Sequence, residues 1–278
     1  MGRLALAGRP SYGDHGGVDA AAFLNDFEHQ NVAALPRVGG MARANGVVIV
    51  SERYWAFAAT DGTLREGRMP VAPRSLRAIP LARGLVRLSG SLSPLFKREG
   101  VARGRERLFL IVAIVAPLVL TFAPSWVGLT AGFATTFALL GWLLRGRTLY
   151  LHGAEHRAIA ALEERRLRET WNGFARPSRF SVRCGTNFAA LLMPVAIFGG
   201  RFWPLPATAV TPLVVSVLAL ALTMELWQLV QSLPRLARVV LLPGLGLQRL
   251  TTREPRLDET RIALTALAAV LRRELAHG

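Results

Sequence analysis

The chain has 278 residues, 51% of them hydrophobic, and its mean hydropathy of +0.33 is unusual for a water-soluble domain of this length. The formal charge of +16 comes almost entirely from arginine, since Lys97 is the only lysine. These arginines stand in blocks between apolar runs, as topology determinants beside a bilayer do, and no basic groove interleaved with aromatic residues predicts nucleic-acid binding. With Cys184 as its single cysteine, the chain has no intrachain disulfide.

The N-terminal part of the chain is predicted to lie outside the membrane. Residues 1–35 are rich in Gly, Ala and Asp, contain no apolar core of a signal peptide, and predict a loosely ordered extension. The next region, 36–105, contains an alternating stretch at 46–66 with an Asp-Gly turn, which predicts a small β-hairpin or meander. Residues 78–96 are apolar but punctuated by arginine and too short to span a bilayer. They predict an amphipathic helix at the interface or against the core.

Four apolar segments follow in residues 106–233, and each approaches the ~20 residues that a spanning helix needs. They cover residues 108–122, 126–144, 188–203 and 207–233. Arginines cluster before the first and third segments and after the second and fourth. The two short connections between segments contain a single arginine, Arg201. This positive-inside bias predicts four transmembrane helices with both termini and the 145–185 loop in the cytoplasm.

The last region, residues 234–278, predicts an amphipathic cytoplasmic tail, because its apolar positions recur on one face of a helix between 257 and 275. The predicted fold is therefore a mainly α, polytopic membrane protein with four transmembrane helices. A small N-terminal β element and amphipathic cytoplasmic helices complete it.

The cytoplasmic loop contains the pattern His152-x-x-Glu155-His156. On a helix, the two histidines project from one face at i and i+4, the spacing by which a helix offers two imidazoles to one metal ion. Glu155 is then placed to act as general base on a metal-bound water, and the order H-x-x-E-H is known from a class of metallopeptidases. For these five positions alone, an exposed helix with polar residues at its start is the alternative.

Two residues are candidates for a third metal ligand. Glu225 lies inside the fourth apolar segment, where an unpaired carboxylate is costly, so it must be protonated, paired with an arginine or bound to metal. Cys184 stands just before the third segment, where the alternative is a buried packing residue.

Several motifs together resemble those of the YqhQ-like family, bacterial polytopic membrane proteins described as predicted metal-dependent enzymes of unknown function. The matching stretches are "HGAEHR" (152–157), "SRFSVRCGTNF" (178–188) and "PGLGLQRLTTREP" (243–255), with weaker matches in "IPLARGLVRLSGSL" (79–92) and "GGMARANGV" (39–47). The resemblance implies an integral protein of the bacterial cytoplasmic membrane.

The chain departs from the family pattern at two places. The family usually has glutamate where this chain has Asn45, and histidine and proline where it has Ser181 and Val182. If a replaced residue is a ligand or a base, this chain is a catalytically altered or inactive paralogue.

The function expected from the sequence is metal-dependent hydrolysis of a membrane-proximal substrate, either peptide or lipid-linked. The metal would be bound by His152 and His156 with Glu225 or Cys184, and zinc is the default ion, with iron or manganese as alternatives. A second hypothesis is a non-catalytic scaffold whose arginine-rich cytoplasmic face binds anionic lipid or a protein partner. A transporter that uses Glu225 is a weaker third hypothesis.

Overall fold

The computed structural model describes residues 20–29, 35–96, 100–102, 104–120, 125–143, 145–233 and 239–276. In chain order they form α1 (Ala20–His29), β1 (Gly39–Arg43), β2 (Gly46–Val50), β3 (Tyr54–Ala59), β4 (Leu64–Arg68), α2 (Arg74–Ala78), α3 (Ala82–Phe96), α4 (Gly104–Leu120), α5 (Ser125–Leu143), α6 (Thr148–Glu163), α7 (Leu167–Trp171), α8 (Gly185–Arg201), α9 (Thr211–Ser232), α10 (Leu242–Thr251) and α11 (Leu257–Ala276). The predicted mainly helical fold with a small N-terminal antiparallel sheet is confirmed.

The sheet is an antiparallel meander in the order β1-β2-β3-β4. Side chains of β2 and β3 alternate between two faces, so Val47 and Ile49 enter the main core while Val48 packs in a second cluster with Trp55. The predicted Asp-Gly turn joins β3 to β4, where Gly62 has a φ of 89°. The meander also contains β1, which the alternation at 46–66 did not predict.

Helix α11 lies at the centre of the main core. It packs against α6, β2 and β3, and Leu264, Leu267 and Leu271 are completely buried. The predicted helix is present, but it is not an amphipathic tail at the surface. Its charged residues lie at or before Arg261 and at or after Arg272, which leaves an uncharged and largely buried middle of the helix, residues 262–271.

Helix α1 corrects the prediction of a loosely ordered extension. Residues 20–29 are helical, and Leu24 and Phe27 are buried in the main core. Glu28 accepts a hydrogen bond from the backbone N–H of Leu167 at the start of α7, which fixes α1 against that helix. Residues 1–19 and 30–34 of the predicted extension lie outside the described residues.

Helices α4, α5, α8 and α9 coincide with the four apolar segments, and they pack as two pairs, α4 with α5 and α8 with α9. Among the described residues, one helix, α9, is long and apolar enough to cross a membrane. Helices α4 and α8 have 17 residues each, a length of about 26 Å, which is less than the ~30 Å hydrocarbon layer. Four transmembrane helices are therefore not confirmed. Several arginines behind the predicted orientation (Arg103, Arg235 and Arg238) lie outside the described residues.

Candidate metal site

Helix α6 carries the H-x-x-E-H pattern and is buried between the sheet and α11. His156 is 1% exposed and Glu155 is 4% exposed, while His152 is partly buried. The helix packs on β1 with one side and on α11 with another. The alternative interpretation of this pattern, an exposed helix with polar residues at its start, therefore does not agree with the structure.

The two imidazole rings lie together and are held by backbone carbonyls. Their centroids are 4.5 Å apart. Nδ1 of His152 is 2.9 Å from the Thr251 carbonyl oxygen, and Nδ1 of His156 is 2.6 Å from that of Arg179. Because a carbonyl oxygen only accepts, each Nδ1 donates, and in the neutral ring Nε2 keeps its lone pair. Metal-binding histidines are oriented in the same way, by a hydrogen bond from the nitrogen that does not bind the metal.

The thiol of Cys184 lies beside these lone pairs. Its Sγ is 3.2 Å from Nε2 of His152, and the ligand atoms of His152, His156 and Cys184 all lie within 4.8 Å of one another. Nε2 of His156 is buried and, within the described part of the chain, has no hydrogen-bond partner. Cys184 is also the N-cap of α8, where Sγ accepts hydrogen bonds from the Thr186 amide at 3.5 Å and hydroxyl at 3.2 Å. We refer to these three residues as the His/Cys cluster.

Close backbone contact brings the segment after α10 onto α6. A Cβ on Gly153 would lie 2.1 Å from the Arg253 carbonyl oxygen, so only glycine allows the two backbones to approach this closely. The Arg253 amide donates to the Leu149 carbonyl at 2.9 Å. This contact places the nearby Thr251 carbonyl oxygen within hydrogen-bond distance of the His152 ring.

The segment that precedes Cys184 is tied to α10 by a buried amide. Gln248 is completely buried; its Oε1 accepts from the Ser181 amide at 2.9 Å, and its Nε2 donates to the Ser181 carbonyl at 2.7 Å. The stretches 152–157, 178–188 and 243–255, which are far apart in sequence, thus meet at one place. Arg157, which the sequence did not single out, is buried there too and contacts Glu254 at 2.5 Å.

Strand β1 forms the wall of the site next to Glu155. A Cβ on Gly40 would lie 2.8 Å from Cγ of Glu155, so the missing side chain makes room for the carboxylate. Burial raises the pKa of Glu155 to about 8, and a hydrogen bond from the Ala42 backbone opposes that shift. Without a neighbouring cation, the carboxyl group is therefore mostly protonated at neutral pH.

Burial also keeps the His/Cys cluster neutral. It lowers the pKa of His156 to about 3, with a further contribution from His152, and it lowers the pKa of His152 as well. Burial, and then the charge of Glu155, raise the pKa of the Cys184 thiol to about 11. Neutral imidazoles are the form that binds metal. A divalent cation with one thiolate and one carboxylate also sums to zero charge, so the buried site suits such an ion.

Glu225, the other predicted third ligand, lies against an arginine instead. Its carboxylate accepts hydrogen bonds from Arg83 at 2.6–2.9 Å and from the Leu81 amide at 3.3 Å. The guanidinium fork of Arg83 matches a carboxylate in both shape and charge. The structure therefore brings Cys184 to the histidines, while Glu225 has the arginine partner that the sequence left open as its alternative.

The two departures from the family pattern do not remove a member of the cluster. Asn45 lies in the turn between β1 and β2, three residues beyond Ala42. Ser181 is anchored through its backbone to Gln248, and its hydroxyl accepts from the Arg183 amide at 3.1 Å.

The comparisons with known proteins agree with these motifs. Residues 143–273, which contain the whole His/Cys cluster, match the model of a family described as "Protein of unknown function (DUF1385)". Over these residues the chain is similar to the YqhQ-like family. It is similar to the uncharacterized protein YqhQ of Bacillus subtilis (strain 168), at 30% identity over 138 residues, which cover 46% of this chain and 42% of that relative. The aligned part thus spans less than half of the relative. No solved structure matches the chain.

Proposed function

We propose that the chain is a membrane-bound hydrolase that depends on a divalent metal held by His152, His156 and Cys184. One observation supports this proposal above all. Both Nδ1 atoms donate to carbonyls, and the ligand atoms of the two rings and of one thiol lie within 4.8 Å of one another.

The donor set favours zinc. Two imidazole nitrogens and one thiolate suit a borderline-soft ion, whereas manganese prefers oxygen ligands. Three protein ligands also match the count in catalytic zinc sites, which keep a position for water or substrate. When bound, the metal would lower the pKa of a water molecule towards neutrality.

Glu155 is the group that we assign to proton transfer. It precedes His156 directly on α6. Its carboxylate lies against β1, where Gly40 leaves room for it and the Ala42 backbone forms a hydrogen bond with it. A nearby cation favours the ionised carboxylate, so Glu155 would accept a proton from water and return it to the leaving group. Gly40 is a positioning residue in this scheme, because its lack of a side chain leaves room for the carboxylate.

We further propose that α4, α5, α8 and α9 lie in the bacterial cytoplasmic membrane, with both termini in the cytoplasm. Large apolar side chains on these helices are exposed, among them Val119, Phe133, Phe137, Ile197 and Leu229. With this placement, the cluster lies at the cytoplasmic end of α8. A lipid-linked substrate or a membrane-proximal peptide would reach it from the inner leaflet.

Metal analysis of the purified full-length protein tests the site. After exposure to zinc and dialysis, we expect about one equivalent in the wild type and a loss of at least ~10-fold in affinity in His156→Ala and Cys184→Ala. The exposed His29→Ala variant should retain wild-type zinc. A wild-type protein without bound metal would refute the proposal, and so would stoichiometric metal in His156→Ala.

The scaffold hypothesis is separated from hydrolysis by Glu155→Gln. This variant should keep the metal and the fold but lose the cellular phenotype of the wild-type gene, because it removes the proton acceptor and leaves the ligands. A scaffold would keep the phenotype, since its arginine-rich face is unchanged.

A further inference from the structure

A cavity of about 250 Å³ lies between α8 and α9, away from the His/Cys cluster. Val195 and Trp203 line it from α8 and the turn that follows, Val215, Ala219 and Leu222 line it from α9, and Leu81 also contributes. Apart from the indole of Trp203, these side chains are aliphatic. From Val215 to Leu222 the cavity follows α9 for about 10 Å.

The walls of this cavity suit a hydrocarbon chain and not water. A buried water typically needs two to four polar partners, and these aliphatic side chains offer none. On α8, Gly199 faces α9, since a Cβ there would be in ordinary van der Waals contact, at 3.5 Å, with Cγ1 of Val215. The space is therefore a narrow apolar channel along two helices.

Polar groups mark one end of the cavity. Nε1 of Trp203 is buried and has no hydrogen-bond partner among the described residues, and a buried donor without an acceptor is unfavourable. Two residues earlier, at the end of α8, Arg201 is exposed, and within the described part of the chain it forms no salt bridge. An N–H donor in the wall of the channel and an exposed cation two residues away thus lie together where α8 ends. In a glycerophospholipid, the ester carbonyl and the phosphate likewise lie together at the head of the acyl chain.

We propose that this cavity binds one glycerophospholipid, with an acyl chain between α8 and α9, an ester carbonyl at Nε1 of Trp203 and the phosphate at Arg201. The inference rests on the proposed placement of α8 and α9 in the membrane. Helix α8 starts next to Cys184 and ends at Arg201, so the phosphate site is about 26 Å from the cluster and lies in the opposite leaflet. The lipid is therefore a structural ligand of the protein and not the substrate of the metal site.

Native mass spectrometry of the full-length protein, titrated with dioleoylphosphatidylglycerol, tests the proposal. We expect one retained lipid per wild-type chain and at least ~10-fold weaker retention in Val195→Trp, whose indole fills the channel. The matched control is Ile197→Trp, which places the same side chain at an exposed position of α8 and should behave like the wild type. Equal retention in the wild type and Val195→Trp would overturn the assignment.

Two further variants test the polar end of the channel. Trp203→Phe keeps an aromatic side chain in the wall but removes the N–H, so retention should weaken by at least about fivefold, the value for one hydrogen bond. Arg201→Gln should weaken retention of the phospholipid similarly. Should oleic acid bind while the phospholipid does not, the site would take a free fatty acid and the proposal would be wrong. Unchanged retention in both variants would also contradict it.

Alkaline carbonate extraction of membranes separates this inference from the proposal on which it depends. If the wild-type chain leaves the membrane, the membrane placement fails, and the lipid assignment fails with it. If the chain stays but no phospholipid is retained, the lipid assignment alone fails. The metal content of Val195→Trp, equal to that of the wild type, shows that this variant is folded.

Discussion

Similar apolar side chains have opposite surroundings in two regions of this molecule. In the core formed by the sheet, α6 and α11, Leu264 and Leu267 are completely buried, whereas on α5 Phe133 and Phe137 are 64% and 68% exposed. Apolar burial stabilises the first region from within, while the second gains such stabilisation only from an apolar surrounding. The His/Cys cluster joins the two, because the histidines come from the core helix α6 and Cys184 begins α8.

The largest effect should come from the core. We expect Leu267→Ala to lower the free energy of unfolding by about 2–5 kcal/mol, because it leaves a cavity among completely buried neighbours. Phe137→Ala, a larger truncation at an exposed position, should change it by less than about 1 kcal/mol. Thermal unfolding of the detergent-solubilised protein measures both, and equal effects would show that the two regions do not differ in this way.

The second largest effect is expected at the contact between α6 and the segment after α10. Gly153→Ala should lower the free energy of unfolding by about 1–3 kcal/mol and weaken zinc binding. The new Cβ pushes the Arg253 carbonyl, and with it the Thr251 carbonyl, away from His152. Gly185→Ala is the control, since a Cβ at that position meets no atom within 4 Å. Isothermal titration with zinc and thermal unfolding check the prediction, which fails if both variants bind zinc equally.

The third effect depends on pH and is predicted for the metal-free protein. Burial raises the pKa of Glu155 from 4.5 to about 8, so between these values the folded chain holds a proton that the unfolded chain has lost, and stability falls as the pH rises. His156 acts oppositely, but only between about pH 3 and 6.5. From pH 6.5 to 8, stability should therefore decrease by at most about 1.4 kcal/mol per pH unit.

Thermal unfolding in the presence of a chelator measures this pH dependence. Glu155→Gln should flatten it, whereas Glu163→Gln, at a half-exposed position of the same helix, should leave it unchanged. A wild-type curve that is flat from pH 6.5 to 8 would show that Glu155 is not held protonated.

The smallest effect is expected at the ion pair between α3 and α9. Arg83→Lys loses the two-pronged contact with Glu225, but water screens the pair because 41% of the Arg83 side chain is exposed. The decrease in unfolding temperature should therefore be smaller than in Leu267→Ala, with the exposed Arg87→Lys as control. A decrease as large as that of Leu267→Ala would place the pair in a low-dielectric surrounding, where a broken ion pair is costly.

Local sequence patterns predicted most of the helices and the central strands. The apolar runs located α4, α5, α8 and α9, and the alternation located β2 and β3. Strand β1 was missed because "GGMAR" has little strand propensity of its own and is held by its pairing with β2. The depth of α11 was missed because periodicity shows which face of a helix is apolar, and not how many elements surround it.

The site was predictable only where its geometry is local. The i, i+4 spacing placed His152 and His156 on one helix face, and this depended on helicity alone. Cys184 is 32 residues from His152 and Arg83 is 142 residues from Glu225, so each pairing depends on the tertiary fold. The sequence offered either Glu225 or Cys184 as the third ligand. Nothing in their local sequence tells which of them contacts the histidines.

Cys184 is both a member of the cluster and the residue that caps α8. Its sulfur accepts the hydrogen bonds of Thr186 that begin the helix, and it also touches His152. Occupancy of the cluster and the orientation of the first turn of α8 therefore share one atom. An ion bound by this sulfur would therefore share it with the hydrogen bonds that cap α8, so that metal binding and the start of the helix are coupled.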